Sequence, residues 1–363
     1  MKRPLTGDDQ LPEADRFLDA PHPRETKRVL GHADAQRSLL ETYASGRMHH
    51  AWIISGQAGI GKATLAYAMA KFMAAHPDAA APSVAQAMSL QTGETDPLVR
   101  QITAGAFPDI ATVRRSWVPE RKALSGEIRV DDIRRATHLF EQTAIAGGWR
   151  IAIIDSVDEM NANAANALLK MLEEPPARSL FLLISHAPGR LLPTIRSRCR
   201  MLHLKPLPAE IVSTITIGLE AWADIPAERH REAAELSDGS VREAIKLLDE
   251  DTAAFRRRIA TLLTNLPRID HKAVRDLAQA VDGRAGADNM EILRLAVEDF
   301  LIAEVRKGTA RGPAVLAPLA EVWEKLTQSV READIYNLDR RPLVIALFAS
   351  LAEAVQSHSA TSV

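Results

Sequence analysis

Gly56-Gln57-Ala58-Gly59-Ile60-Gly61-Lys62 is the stretch of this chain whose residue types and spacing most directly specify chemistry. It follows the apolar run Ala51–Ser55, which reads as a buried strand, and opens into a helical stretch from Lys62 to about Met73. Gly56, Gly59 and Gly61 let consecutive backbone amides turn toward phosphate oxygens. The helix N-terminus adds a positive dipole end, and Lys62 adds a point charge. Strand, spacing, lysine and helix together make a P-loop, a cradle for the phosphates of a nucleotide such as ATP. The position after the lysine should carry Ser or Thr to ligate Mg²⁺, and here it is Ala63. Thr64 comes one residue late, about 100° further round the helix, and points elsewhere.

A second acidic position belongs with that cradle. Ile151-Ala152-Ile153-Ile154 has the pattern of a buried parallel strand that delivers Asp155 at its C-terminal end, where a carboxylate supports the metal of a P-loop site. The next residue is Ser156. Asp158 and Glu159 are read as starting the following loop and facing water. A missing general base typically costs about 10²–10⁴ in rate, and the missing hydroxyl ligand weakens the metal as well. Such a site holds ATP without turning it over, and Mg²⁺ is expected only with bound ATP.

The elements that must position these groups crowd into Trp149–Arg200. A helix over Asn163–Glu173 places Ala165, Leu168, Leu169 and Leu172 on one face, and Pro175-Pro176 ends it. Ser179–Ser185 reads as a second buried strand, and Arg196, Arg198 and Arg200 then form a basic hairpin end. Asn166-Ala-Leu-Leu-Lys-Met-Leu-Glu-Glu-Pro-Pro176, with Ser197-Arg198-Cys199 at its spacing, closely resembles the clamp-loader branch of the AAA+ ATPases, most of all the delta-prime subunits of bacterial DNA polymerase III. The resemblance covers residues 25 to 250 by motif and the C-terminal third by composition and length.

The resemblance implies an α/β P-loop AAA+ domain, a parallel sheet flanked by helices, followed by a small helical lid and an all-helical collar. It implies a stator in a hetero-pentameric ring with gamma/tau- and delta-type subunits, helping to place a sliding clamp on primed DNA. It makes Arg198 an arginine finger reaching a neighbour's nucleotide. Gly239-Ser240-Val241-Arg242 resembles the lid motif whose arginine, Arg242, meets the γ-phosphate, and Val29–His32 lies against the adenine. A self-sufficient motor of the gamma/tau type is the alternative, and Ala63 with Ser156 counts against it. An adaptor that ignores nucleotide would leave Lys62 unexplained.

Composition sets the outer bounds. The chain has 363 residues, is 46% apolar and carries 45 basic against 47 acidic side chains, a formal charge of −2, so no global basic field announces nucleic acid. One cysteine excludes a disulfide framework or a cysteine-rich zinc module; no zinc is expected, and the composition suits a reducing cytoplasm. No signal-peptide core or membrane span is read.

Residues 1–27 read as a polar, poorly ordered lead-in, 28–205 as the P-loop domain, 206–251 as the lid, 252–355 as the collar and 356–363 as a tail. Between the motifs, His76–Phe107 shows only patchy helical periodicity. A strand is expected over Ile110–Val113, a solvated basic loop at Arg114, Arg115, Arg121 and Lys122, and a helix capped by Asp131. After Pro206 and Pro208 only helical periods appear, at 209–219, 227–237 and 240–249. The collar has apolar helix faces at Leu293, Val297, Phe300 and Leu301 and at Leu343, Leu347, Phe348 and Leu351.

Overall fold

A computed structural model describes residues 13–121, 123–141, 144, 148–282, 286–308, 321–325, 328–329 and 338–360. The chain falls into two compact units, residues 1–245 and 246–363.

The first unit is built on a five-stranded parallel sheet of β1 (Ala51–Ser55), β2 (Ile110–Val113), β3 (Arg150–Asp155), β4 (Ser179–Ser185) and β5 (Arg200–His203). Their order across the sheet is β2-β3-β4-β1-β5. A parallel sheet is covered on both faces, and alternate side chains must serve opposite cores. Trp52, Ile54, Ile151, Ile153, Leu180 and Leu182 enter one core with α1 (Ala33–Ala44) and α2 (Lys62–Ala75). Ala51, Ile53, Ala152, Ile154, Phe181 and Leu183 enter the other with α3 (Val130–Glu141) and α4 (Ala162–Glu173). The predicted face of α4 holds, with Ala165, Leu168 and Leu172 buried and Leu169 packed at the margin.

Four expectations need correction. The segment 13–27 is packed rather than solvated: His22 is fully buried, and its Nε2 lies 2.9 Å from Asp15, whose side chain is 1% exposed. Helix α3 begins at Val130, before Asp131; Asp132, not Asp131, accepts the Arg129 N–H at 2.9 Å. The arginine stretch is not a hairpin end. Pro193–Arg196 is a short helical turn, and Arg200–His203 is an edge strand parallel to β1, with Trp52 opposite Arg200. Finally, Arg114 and Arg115 are not a solvated pair: Arg114 contacts Asp15 at 3.1 Å, and Arg115 contacts Glu159 at 2.9 Å. The Arg121 side chain and Lys122 lie outside the described residues.

In 76–107, short helices Pro82–Ala85 and Pro97–Thr103 bury Val84, Val99 and Ile102. Asp96 caps the second by accepting the Leu98 amide at 2.8 Å. Three helices follow β5, in the segment expected to form the lid: α5 (Ala209–Ile217), α6 (Ala227–Glu235) and α7 (Val241–Leu248). They share a small core of Leu207, Val212, Ala234 and Ala244.

The second unit contains α8 (Glu250–Thr264), α9 (His271–Ala280), α10 (Gly286–Gly308) and α11 (Arg341–Ala360). Asp249 and Asp270 cap α8 and α9 through side-chain acceptance of backbone amides. Leu293, Val297, Leu301, Leu347, Phe348 and Leu351 are buried in one core, with Phe300 and Leu343 packed at its edge. Among the described residues, no helix is long and apolar enough to cross a membrane.

Candidate functional site

The C-terminal ends of β1, β3 and β4 bring the predicted groups to one edge of the sheet. Beyond β1, Gly56, Gly59 and Gly61 have φ of 142°, 77° and 98°. Two of these positions also lack room for any side chain. A Cβ at Gly56 would lie 2.7 Å from the Leu204 carbonyl oxygen, and one at Gly59 would lie 2.4 Å from both Arg242 Cβ and Ser240 Oγ. The second crowding arises because the start of α7 is bonded to the loop. The Ser240 hydroxyl donates to the Ala58 carbonyl at 2.9 Å, and the Val241 amide donates to the Gly59 carbonyl at 3.0 Å. Ser240 also accepts from the Glu243 amide at 3.3 Å, which makes it the N-cap of the helix that starts at Val241.

Lys62 is 4% exposed. Its ammonium donates to the carbonyls of Gly56 at 2.7 Å and Gln57 at 2.5 Å, so it folds back onto the loop that it would share with a phosphate. Burial, reinforced by Arg242 and opposed by Asp155 and Asp158, lowers its pKa to about 8. Ala63 and Thr64 follow on α2, both half-buried.

Asp155 ends β3. Burial first, and then the charge of Asp15, push its pKa up to about 6 against the opposing pull of His186 and Lys62. Ser156 is buried and offers a hydroxyl, not a carboxylate. Asp158 does not face water as expected. Its carboxylate accepts the Ser185 hydroxyl at 2.8 Å, the Ser156 hydroxyl at 3.0 Å and the backbone N–H of His186. Burial alone would raise its pKa, but the bonds from His186, Ser185 and Ser156 hold it well below the usual carboxylate range. A carboxylate so stabilised as an anion is a poor proton acceptor. Glu159 is turned to Arg115.

On the lid side, Val29–His32 is wedged between loop and lid. The neutral His32 ring, its pKa lowered by burial, donates from Nε2 to the Ile60 carbonyl at 2.7 Å. A Cβ on Gly31, at φ 78°, would meet Leu207 at 2.5 Å. Neither His32 as a loop clasp nor His186 beside Asp158 was singled out by sequence, because each is brought in by a distant strand or helix end.

The cradle suits phosphate and not a tightly held divalent ion. Turned amides and a buried ammonium meet an anion. A cation would find one carboxylate, Asp155, and a methyl group where the hydroxyl ligand belongs.

Arg198 lies elsewhere. β5 runs parallel to β1 with Arg200 opposite Trp52, so Arg198 precedes the N-terminal end of the sheet, whereas the P-loop follows the C-terminal end. Four strand residues at about 3.3 Å each separate the two edges. The Arg198 guanidinium donates to the Thr194 carbonyl at 3.0 Å and contacts Glu173, the last residue of α4, at 2.9 Å. Its side chain remains 35% exposed. Arg200 instead stacks over Trp52 with its guanidinium carbon 4.9 Å from the ring. The structure therefore brings together Gly56, Gly59, Gly61, Lys62, Asp155 and Arg242, and keeps Arg198 apart.

The profile of the family described as DNA polymerase III, delta subunit, matches residues 31–208. The chain is 38% identical over 225 residues to DNA polymerase III subunit delta' of Pseudomonas aeruginosa, covering 62% of this chain and 63% of that relative. It is 31% identical over 225 residues to the delta' subunit of Escherichia coli K12, covering 62% of each chain. A tau subunit from Salmonella typhimurium is 28% identical over 287 residues, 76% of this chain and 40% of that protein. The aligned region thus spans less than two thirds of the length of these relatives. The family match includes the P-loop, Asp155 and Arg198 but ends before Arg242.

Lys62 sets up a measurable conflict between function and stability. Below its folded pKa of about 8 the buried ammonium is retained at a cost. Between about 8 and the ordinary 10.5 the unfolded chain binds more protons, so stability rises with pH through that window. Lys62→Met is expected to stabilise the nucleotide-free protein by about 1–3 kcal/mol at pH 7. It should also flatten the rise between pH 8 and 10.5. Thermal unfolding of both proteins across that range checks it.

Proposed function

We propose that this chain is a delta-prime-type stator of a DNA polymerase III clamp loader, assembled with gamma/tau- and delta-type subunits to place a sliding clamp on primed DNA in the cytoplasm. The observation that carries this reading is the separation of Arg198 from the chain's own P-loop. An arginine at the opposite edge of the sheet cannot serve the phosphates of its own site, but it is free to meet those bound by a neighbour in a ring. A guanidinium suits that role because it is always ionised and offers a rigid donor fork.

The chain's own site is proposed to hold ATP through Gly56, Gly59, Gly61 and Lys62, with Arg242 approaching from the lid. Asp155 completes the set at its margin, and Thr64, one residue beyond the position of a metal-ligating hydroxyl, stands outside it. Bound ATP would supply the only reason for Mg²⁺ to visit. With one cysteine, Cys199, the chain has no cysteine-rich zinc module.

The collar is assigned to residues 252–355 and the lid to 206–251. The full chain is expected to co-purify with gamma/tau- and delta-type subunits as one complex, whereas residues 1–251 should remain folded and fail to join it. Native mass measurement and circular dichroism read both outcomes. Assembly without the collar, or no assembly of the full chain, would defeat the proposal.

A further inference from the structure

The segment before α1 is tied down at the C-terminal edge of the sheet. In the β2–β3 register Val113 is opposite Ile154, so Arg114, the first residue beyond β2, comes beside Asp155, the last residue of β3. Arg114 holds Asp15 at 3.1 Å and also contacts Glu13, while Arg24 reaches Glu13 at 2.8 Å. His22 lies 2.9 Å from Asp15 and edge-on to Tyr67 of α2, 5.6 Å between ring centres. Glu13, Asp15 and His22 are close enough together for a cation, but both carboxylates are already matched by guanidinium groups, so the knot is an anchor.

From this anchor the chain reaches the lid within two residues. The Arg242 guanidinium carbon sits 4.8 Å from the centre of the Phe17 ring. Asp15 and Phe17 therefore engage groups on either side of the P-loop: one beside Asp155, the other on the lid arginine. Leu18, at φ 47° and 62% exposed, turns the chain outward immediately afterwards. Phe17 is thus the aromatic contact that this short crossing makes with the lid arginine.

We propose that residues 13–20 form an internal strap across the P-loop site, and that a nucleoside triphosphate must lift Phe17 off Arg242 before that arginine can meet its terminal phosphate. The inference rests on the P-loop being a nucleotide site. The strap sets how readily that site fills. A cation–π contact of this kind is worth about 3- to 30-fold in an equilibrium, and the apparent affinity of a site open only part of the time is its intrinsic affinity multiplied by the open fraction.

The test uses full-length protein and a fluorescent ATP analogue. Phe17→Leu and Phe17→Ala are expected to bind it about 3- to 30-fold more tightly than the starting protein, whereas Phe17→Trp, which keeps a ring over Arg242, should bind like the starting protein. Adding Lys62→Met to Phe17→Leu should remove binding. Equal or weaker affinity in Phe17→Leu, with binding still dependent on Lys62, would overturn the strap and leave the P-loop reading intact. No binding by any variant would overturn both. If Phe17→Leu does not fold, amide exchange of the unaltered protein decides: residues 13–20 should exchange faster with saturating ATP, and unchanged or slower exchange would overturn the strap.

Discussion

Arg198→Ala is expected to leave folding and ring assembly intact while sharply reducing DNA-dependent ATP hydrolysis and clamp loading by the reconstituted complex. Its guanidinium is anchored by Glu173 and the Thr194 carbonyl yet remains one third exposed. Those contacts are at the surface, where an ion pair contributes about 0–1 kcal/mol, so their loss should barely alter stability. Catalysis is different, because charge builds on the transferred phosphoryl group where water is excluded. Arginine fingers supplied by a neighbour are worth about 10³–10⁵ at a single site. In a ring with several hydrolysing sites only the adjoining one should be affected, so the total rate should fall by that site's share and by coupling among sites.

The neighbouring arginines sharpen this expectation. Arg200 is stacked on Trp52, so Arg200→Ala should act through the edge of the sheet, as a modest loss of stability. Arg196 is exposed on the turn Pro193–Arg196 and should matter less to hydrolysis. The check is ATPase and loading activity of complexes carrying each variant, after assembly has been verified. Full activity with Arg198→Ala would reduce the cluster to a solvated edge.

Legibility in the sequence followed the range of the interactions. The P-loop was readable because glycine conformation, lysine charge and helix start are all local, and the strands β1, β3 and β4 because both of their faces are buried. β5 was not readable: of Arg200–His203 only Leu202 is buried, and an edge strand without an apolar run acquires its identity from the strand beside it. The segment 13–27 was misread for a related reason. It has few apolar residues, and its order comes from charges such as Asp15 and Arg114, which are 99 positions apart.

The same limit applied at the candidate site. Sequence gave the types of Asp158 and Ser156, but not the Ser185 and His186 contacts that β4 brings to them. Arg198 was legible as a residue type in a motif. That it stands at the opposite edge from Lys62 required the register of β5 on β1.

The isolated chain is expected to hydrolyse ATP negligibly even when it binds it. The residue after Asp155 is Ser156, which has no basic pair to offer, and the nearest carboxylate on that loop, Asp158, is saturated by Ser156, Ser185 and His186. Loss of a general base lowers a rate by about 10²–10⁴, which takes an ordinary turnover of about 10 s⁻¹ down to roughly 10⁻¹–10⁻³ s⁻¹. Ala63 lowers it further by denying the metal a hydroxyl. Ser156→Glu alone should not rescue hydrolysis, because the new carboxylate would enter a buried position beside Asp158, where a like charge opposes ionisation, and Ala63 would still deny the metal its ligand. Steady-state turnover near 1 s⁻¹ by the purified chain, an ordinary slow ATPase on this scale, would make it a motor in its own right and remove the reason for assigning its catalytic contribution to Arg198.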